Sequence, residues 1–244
     1  MKKLVFGALI ALAVSQAAGC IISSDDTSND AFINVSWSLK SIASNTTQAC
    51  PAGFDTTALY SQPVDANGNN IGAVVIDLFN CDANAGQSAP LIPGIYDSHI
   101  AITDHNNTSQ YATSVTATVD VTSVDKSFTA QILTDGGYFQ VAWNLTRASN
   151  GASLLCADVP GISGVEAIAT EVGTPTNSAS DIYPCEDHFG ISAGFLAATY
   201  TLSVDALNNQ MQSIGTAAPI TNKVIQAQNR VTDLGTVTIP ITAL

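Results

Sequence analysis

The chain has 244 residues, with 20 acidic side chains against seven basic ones and a formal net charge of −13 at pH 7. This acid excess excludes a surface suited to nucleic acid or to anionic lipid, because both repel carboxylates. Charged residues make up only 11% of the chain, and the abundance of Thr, Ser, Asn, Val, Ile and Ala favours β-structure with polar loops.

The N-terminal segment has the composition of a secretory signal. Lys2 and Lys3 precede an apolar run over residues 4–14. This run is too short to cross a bilayer, which requires about 20 apolar residues, and small residues follow it, as at a cleavage site. The polar, acidic stretch over residues 23–30 is typical of a flexible tether.

Between these two parts lies the motif Ala17-Ala18-Gly19-Cys20. It resembles the lipobox of bacterial lipoproteins, with Ala17 where Leu is commonest in that family. The resemblance implies that residues 1–19 are a signal peptide and that residues 20–30 are an acylated cysteine, Cys20, and its tether. The protein is then a lipoprotein of the cell envelope, and Ile21 after the cysteine favours the outer membrane over the inner one. The alternative is an ordinary secreted protein cleaved near Ala18, with Cys20 as a free thiol.

If Cys20 carries lipid, four cysteines remain, namely Cys50, Cys81, Cys156 and Cys185. Four cysteines permit three pairings. The first two are 31 residues apart and the last two 29 apart, which favours one disulfide in each half of the chain. An oxidising compartment outside the cytoplasm permits such bonds. A metal site is the alternative, but it requires close ligand pairs such as C-x-x-C, which this sequence lacks.

An internal duplication divides the chain. The pattern V-x-W-x-L occurs around Trp37 and around Trp143, and a Cys follows 13 residues after each of them. Aromatic-x-Cys comes next, and 15 residues after that cysteine lies a Tyr, Tyr96 or Tyr200. Landmarks in one order, at offsets of 104 to 106 residues, indicate a tandem repeat. The predicted domains are residues 31–134 and 138–244, joined by a short hinge over residues 134–137.

The apolar residues alternate with a period of two, which predicts β-strands. V-x-W-x-L places Val, Trp and Leu on one face of a strand. Residues 73–79 and 115–121 alternate likewise, and residues 65–68 predict a hairpin turn. We therefore predict an all-β chain of two tandem antiparallel β-sandwich domains, immunoglobulin-like in architecture. Its cores are anchored by Trp37, Trp143, Tyr96 and Tyr200.

This order of motifs resembles uncharacterised exported lipoproteins of myxobacteria and related bacteria. The segment PGIY at residues 93–96 also resembles the G-x-Y strand of prealbumin-like and carboxypeptidase-regulatory-like modules. The second repeat departs from that pattern, because Ala198 and Thr199 precede Tyr200. The resemblance implies a β-sandwich and no known activity.

One segment matches a catalytic motif. Residues 190–194 spell G-I-S-A-G, the nucleophile pattern of serine hydrolases, and His188 and Asp187 lie nearby. That pattern requires a strand before Ser192 and a helix after it. Here the Tyr200 strand follows, and the corresponding loop of the first repeat, residues 86–90, also contains a Ser. The sequence therefore disfavours catalysis at Ser192.

Metal and histidine chemistry has equally little support. Asp65 begins a segment that resembles half of a calcium loop, but the twelfth position, which requires Glu, is Ile76. His99, His105 and His188 are scattered, and we expect them to be solvated, with His99 on the strand face opposite Tyr96. No cofactor and no metal site are predicted.

The leading hypothesis is a non-enzymatic, lipid-anchored envelope protein that acts as a structural, adhesion or binding module. Its predicted partners are the membrane, through the lipid at Cys20, and a protein or glycan that the sequence does not identify. One alternative is an exported serine hydrolase that uses Ser192. Another is a carbohydrate- or calcium-binding accessory module.

Overall fold

The computed structural model describes residues 30–242, which fold almost entirely into β-strands. The predicted signal peptide, Cys20 and the tether up to residue 29 lie outside the described residues. None of the helices in the described part is long and apolar enough to span a membrane. The prediction of an all-β sandwich fold is confirmed.

The strands form two consecutive groups, which we call the first and second repeats. The first repeat contains β1 (Ile33–Ser41), β2 (Thr46–Gln48), β3 (Thr56–Val64), β4 (Val75–Asn80), β5 (Ala85–Gln87), β6 (Ile95–Thr103), β7 (Gln110–Thr113), β8 (Ala117–Asp120) and β9 (Lys126–Leu133). The second contains β10 (Gly136–Arg147), β11 (Ser153–Leu154), β12 (Ile162–Glu171), β13 (Ser178–Tyr183), β14 (Phe189–Ile191), β15 (Phe195–Leu196), β16 (Thr199–Asn208), β17 (Ser213–Thr216), β18 (Ile220–Val224) and β19 (Arg230–Ile241). Short 3-10 turns lie at Cys81–Ala83, Cys156–Asp158 and Cys185–Asp187.

Two sheets pack face to face in the first repeat. β1 has β2 and β5 along one edge and β9 along the other, while the second sheet runs β4-β3-β6 with β7 and β8 on the far edge of β6. Along β1 every second residue is buried, as the V-x-W-x-L pattern predicted. These side chains meet Leu59, Ile100 and Ile102 of the other sheet in one apolar core.

One strand pair in each repeat departs from the predicted antiparallel arrangement. β9 runs parallel to β1, and β19 runs parallel to β10. The strand before β9 belongs to the other sheet, so the chain crosses between sheets and then lies beside β1 in the same direction. The other pairings between the described strands are antiparallel.

The second repeat follows the same strand order. β10 carries β11, β14 and β15 along one edge and β19 along the other, and β12 lies between β13 and β16. A bridge between Gly215 and Ile241 links the two halves into one ten-stranded sheet. A Cβ atom on Gly215 would lie 2.5 Å from the carbonyl oxygen of Pro240, so this close approach requires glycine.

Residues 134–137, the predicted short hinge, make hydrogen bonds to the end of β1. The backbone N–H of Thr134 donates to the carbonyl of Lys40, and Gly136 and Gly137 already belong to β10. Asp135 accepts hydrogen bonds from the Ser41 hydroxyl at 2.6 Å and from the backbone N–H of Ile42 at 2.7 Å. The link between the repeats is therefore tied to the end of β1.

Asn229, from the loop between β18 and β19, completes this junction. Its Oδ1 accepts from the backbone N–H of Leu133 at 2.6 Å, and its Nδ2 donates to the carbonyl of Thr113 at 2.7 Å. The residue is only 3% exposed and has a left-handed backbone, with φ of 60°, which asparagine tolerates better than most residues. A side chain of the second repeat thus satisfies buried backbone groups of the first.

Candidate binding face

The cysteines and tryptophans that the sequence singled out lie together in the two cores. The disulfides join the pairs that the spacing predicted, Cys50 with Cys81 and Cys156 with Cys185. The indole N–H of Trp37 donates to the carbonyl of Cys81 at 2.8 Å, and that of Trp143 donates to Cys185 at 3.1 Å. Both tryptophans are buried. Their contacts are structural and leave no group free for chemistry.

The two tyrosines occupy equivalent positions. The hydroxyl of Tyr96 donates to the carbonyl of Ile92 at 2.8 Å, and that of Tyr200 donates to Leu196 at 3.0 Å. Burial raises the pKa of both phenols, and Glu171 adds to the rise at Tyr200. Both stay neutral near pH 7 and act as hydrogen-bond donors within the core.

Ser192 is placed as a structural residue. Its Oγ accepts from the backbone N–H of Phe139 at 2.9 Å and donates to the carbonyl of Ala193 at 2.8 Å. Ser88 accepts from Ile33 in the same way at 3.0 Å in the first repeat. Strand β14 ends before Ser192 and strand β15 follows, so the strand-to-helix turn of a hydrolase nucleophile is not formed there.

The Asp65 segment forms a turn. One carboxylate oxygen of Asp65 accepts from the backbone N–H groups of Asn67 and Asn69, at 2.8 and 2.9 Å. Hydrogen bonds from Asn69 and Asn67 lower the pKa of Asp65. Among residues 30–242, no group of three or more His, Cys, Asp or Glu side chains is arranged to hold a metal ion.

The three histidines lie in different surroundings. His188 is exposed and has a left-handed backbone at the end of a 3-10 turn, and the exposed His105 has its Nδ1 3.7 Å from a carboxylate oxygen of Asp55. His99 lies opposite Tyr96 as predicted, but it is packed rather than fully solvated. Its ring stacks on that of Tyr60 with 4.8 Å between centroids, and burial lowers its pKa. His99 is therefore neutral at pH 7.

Strand β4 has apolar side chains on both faces, although the sequence predicted one apolar face. Asp77 points inward and accepts from the backbone N–H of Ala89 at 3.0 Å. Its neighbours on the opposite face are therefore turned outward. Val74, Ile76 and Leu78 are 41%, 44% and 54% exposed.

These outward residues belong to two rows that cross the outer surface of the sheet. One row is Ile76, Tyr60 and His99, and the next is Leu78, Ala58 and Ala101. The pairing in the second repeat makes their counterparts Ser180, Ile168 and Ser203, and then Ile182, Glu166 and Asp205. In these two rows the first repeat has no charged side chain, although Ala58 and Ala101 are buried and Asp97 lies in the row beyond His99. The same two rows of the second repeat have two hydroxyls and two carboxylates. We call the two rows of the first repeat the candidate binding face.

The candidate binding face ends at a sheet edge. Within the described residues β4 pairs only with β3, so the backbone groups along its other side have no strand partner. Such an edge offers hydrogen bonds to an added strand. Residues 74–78 are apolar at every second position, so the sequence predicts that Val74, Ile76 and Leu78 share one face of a strand. The alternation alone does not indicate whether that face points toward the core or toward solvent.

A polar cavity lies where β4 ends, beside Leu78. It has a volume of about 450 Å³ and is lined by Asp55, Thr56, Leu78, Phe79, Asn80 and His105. The cavity combines a carboxylate, an amide and an imidazole with two apolar side chains.

No protein-family model matches this chain, and no curated protein matches it. Among solved structures, it is similar to a leucine-rich repeat protein from Bacteroides thetaiotaomicron, with 12% identity, a TM-score of 0.36 and coverage of 87% of this chain but only 26% of that one. It is also similar to the minor pilin GBS52 from Streptococcus agalactiae, with 12% identity, a TM-score of 0.29 and coverage of 88% and 98%. The fimbrial anchor protein Mfa2 from Porphyromonas gingivalis has 11% identity and a TM-score of 0.30, with coverage of 77% and 81%.

Proposed function

We propose that this chain is a non-enzymatic, lipid-anchored protein of the cell envelope that binds a protein partner through the candidate binding face. The observation that carries the binding role is the difference between the repeats. Their tryptophan, tyrosine, serine and disulfide contacts are the same, yet the two rows carry no charge in the first repeat and two carboxylates, Glu166 and Asp205, in the second. Ile76 and Leu78, the most exposed members of the two rows, are free to contact a partner.

The chemistry of the face favours protein over other partners. Exposed Ile76 and Leu78 lie beside the stacked rings of Tyr60 and His99, next to an unpaired strand edge. A protein segment that lies along β4 gains backbone hydrogen bonds and covers these apolar side chains. Because neither row carries a carboxylate, an apolar partner segment is not repelled.

Site-specific photo-crosslinking on intact cells tests the binding face. A benzophenone amino acid at position 78 is compared with the same probe at position 182, the matched position of the second repeat. We expect one discrete protein adduct from position 78 alone, and its loss when Ile76→Lys is added. Adducts of equal yield at both positions, or from neither, contradict the proposed face.

The anchor requires its own experiment. We expect radiolabelled palmitate to enter the wild-type protein, and Cys20→Ser to abolish labelling and release the protein from the membrane fraction. A variant that stays membrane-bound without label contradicts the lipid anchor. Protease treatment of intact cells then distinguishes display at the cell surface from a periplasmic position in the outer membrane.

Glycan binding is the second candidate, because the cavity beside Leu78 offers Asp55, Asn80 and His105 as hydrogen-bonding groups next to apolar carbon. A thermal-shift screen against glycans, with calcium as a separate condition, tests it. An increase in Tm with one glycan, removed by Asn80→Ala and His105→Ala, favours this function over protein binding.

A further inference from the structure

A second apolar surface lies at the other end of the first repeat, where the chain enters the fold. It is a groove of about 460 Å³ between the loop after β3 and the loop before β6. Ile71 and Ile92 are its most exposed side chains, at 64% and 79%, and Pro63, Pro90 and Pro93 also line it. None of the side chains that line it is charged, although the chain carries 20 acidic residues.

The position of the groove is set by the first strand. Ala31 exchanges two backbone hydrogen bonds with Leu91, which lies in the groove wall. β1 then runs away from the groove and ends at Ser41, which bonds Asp135 at the junction with the second repeat. The groove therefore lies at the end of the first repeat that is remote from the second repeat and next to the N-terminal segment.

The length of the segment before Asp30 limits the distance between the groove end of the first repeat and a lipid anchor at Cys20. Residues 20–29 separate Cys20 from Asp30, and ten residues span at most about 33 Å when fully extended. If Cys20 carries lipid, Asp30, one residue before the Ala31 pairing with the groove wall, lies within about 33 Å of the anchored residue. The short tether also gives the groove a high effective concentration at that surface.

The loops that correspond to the groove walls differ in the second repeat. Its loop between β12 and β13 spans only residues 172–177, whereas the loop between β3 and β4 spans residues 65–74 and supplies Ile71. Leu196, which takes the place of Ile92, is only partly exposed. The long loop and the exposed Ile92 are thus particular to the repeat that follows the N-terminal segment.

We propose that this groove rests on the lipid bilayer, with Ile71 and Ile92 entering the headgroup region and orienting the first repeat on the membrane. This inference rests on the lipid anchor of the proposed function. Transfer of exposed apolar side chains from water to a membrane interface lowers the free energy of the system. The lack of charge in the groove avoids the cost of bringing carboxylates to that surface.

Fluorescence quenching by lipid tests the contact without relying on bacterial acylation. The chain that begins at Cys20 is coupled through that cysteine to a maleimide lipid in phosphatidylcholine vesicles containing dibrominated acyl chains. Ile92→Trp places a reporter in the groove, and Leu155→Trp places one at a site of the second repeat that is also exposed. Native Trp37 and Trp143 are buried and supply the background emission.

We expect brominated lipid to quench the added emission of Ile92→Trp and not that of Leu155→Trp, and we expect Ile71→Asp to abolish the quenching at position 92. Equal quenching at both positions, or none at position 92, overturns the membrane contact. So does a concentration-dependent blue shift of the Ile92→Trp emission without vesicles, since a second copy of the chain then covers the groove. Palmitate labelling of the native protein separately tests the anchor.

Discussion

At the scale of single residues, equivalent positions in the two repeats can be compared to find the contacts that both repeats make and those that only one makes. Phe79 and Tyr183 both pack on the tryptophan of their repeat, with ring centroids 5.8 and 5.7 Å apart. The hydroxyl of Tyr183 is buried and has no hydrogen-bond partner among the described residues. Burial and the nearby Asp181 raise its pKa. Phe79, the equivalent residue of the first repeat, has no hydroxyl, so this buried group occurs only in the second repeat.

We predict that Tyr183→Phe leaves the fold intact and raises the free energy of unfolding by about 1 kcal/mol, because an unpaired buried hydroxyl costs about 1–3 kcal/mol. Tyr200→Phe is the matched control and should lower it by about 1 kcal/mol, since it removes a hydrogen bond to Leu196. Urea unfolding of the three proteins measures both effects. Equal changes in the two variants contradict this explanation.

At the scale of elements, the end of β1 depends on an ionised side chain. Burial opposes ionisation of Asp135, but hydrogen bonds from Ser41 and from the backbone of Ile42 and Ala43 outweigh it and lower the pKa. A carboxyl with a lowered pKa stabilises the fold above its unfolded pKa, about 3.9, and this contribution is lost as the pH falls through the folded value.

We therefore predict that Asp135→Asn is less stable than wild type at pH 7 and that the difference shrinks as the pH falls below about 4. Chemical unfolding at several pH values measures it. Asp104→Asn is the control. It also removes a hydrogen-bonded carboxylate, but from an exposed turn of the first repeat that lies away from the junction. A difference at Asp135 that does not change with pH contradicts the ionic contribution.

The disulfides act on the same scale, because each one closes a loop within a single repeat. Replacing Cys50 and Cys81 by Ala should lower the free energy of unfolding of the first repeat by about 3–4 kcal/mol on the loop-entropy estimate. The Cys156 and Cys185 pair is the matched variant in the second repeat. Peptide mapping without reduction, with hydrogen exchange in each repeat, shows whether the loss stays within the altered repeat.

At the scale of the whole molecule, Asn229 is one of the residues that join the two repeats. Its side chain is the partner of two buried backbone groups of the first repeat. Asn229→Ala leaves both unpaired, at about 1–3 kcal/mol for each group. We predict one calorimetric transition for the wild type and two for Asn229→Ala. Asn222→Ala, another left-handed asparagine in the second repeat, is the control and should keep a single transition.

The molecule has different surfaces at the two ends of its first repeat. The uncharged groove lies beside the N-terminal segment, and the cavity with Asp55 and His105 lies where β4 ends. The candidate binding face runs between them along β3, β4 and β6. The proposed contact of the groove with the membrane would therefore leave the candidate binding face accessible.

Features that depend on the local order of residues could be predicted from the sequence. The alternation in V-x-W-x-L predicted the buried face of β1 and β10, and the equal cysteine spacings predicted the two disulfides, because period and spacing are one-dimensional properties. Three features could not be predicted in this way: the parallel pairing of β9 with β1, the junction at Asn229, and the outward orientation of Ile76 and Leu78. Each of these depends on which distant backbone lies alongside: Val75 and Phe79 pack against the core, and Asp77 on the same face accepts a hydrogen bond from the Ala89 N–H.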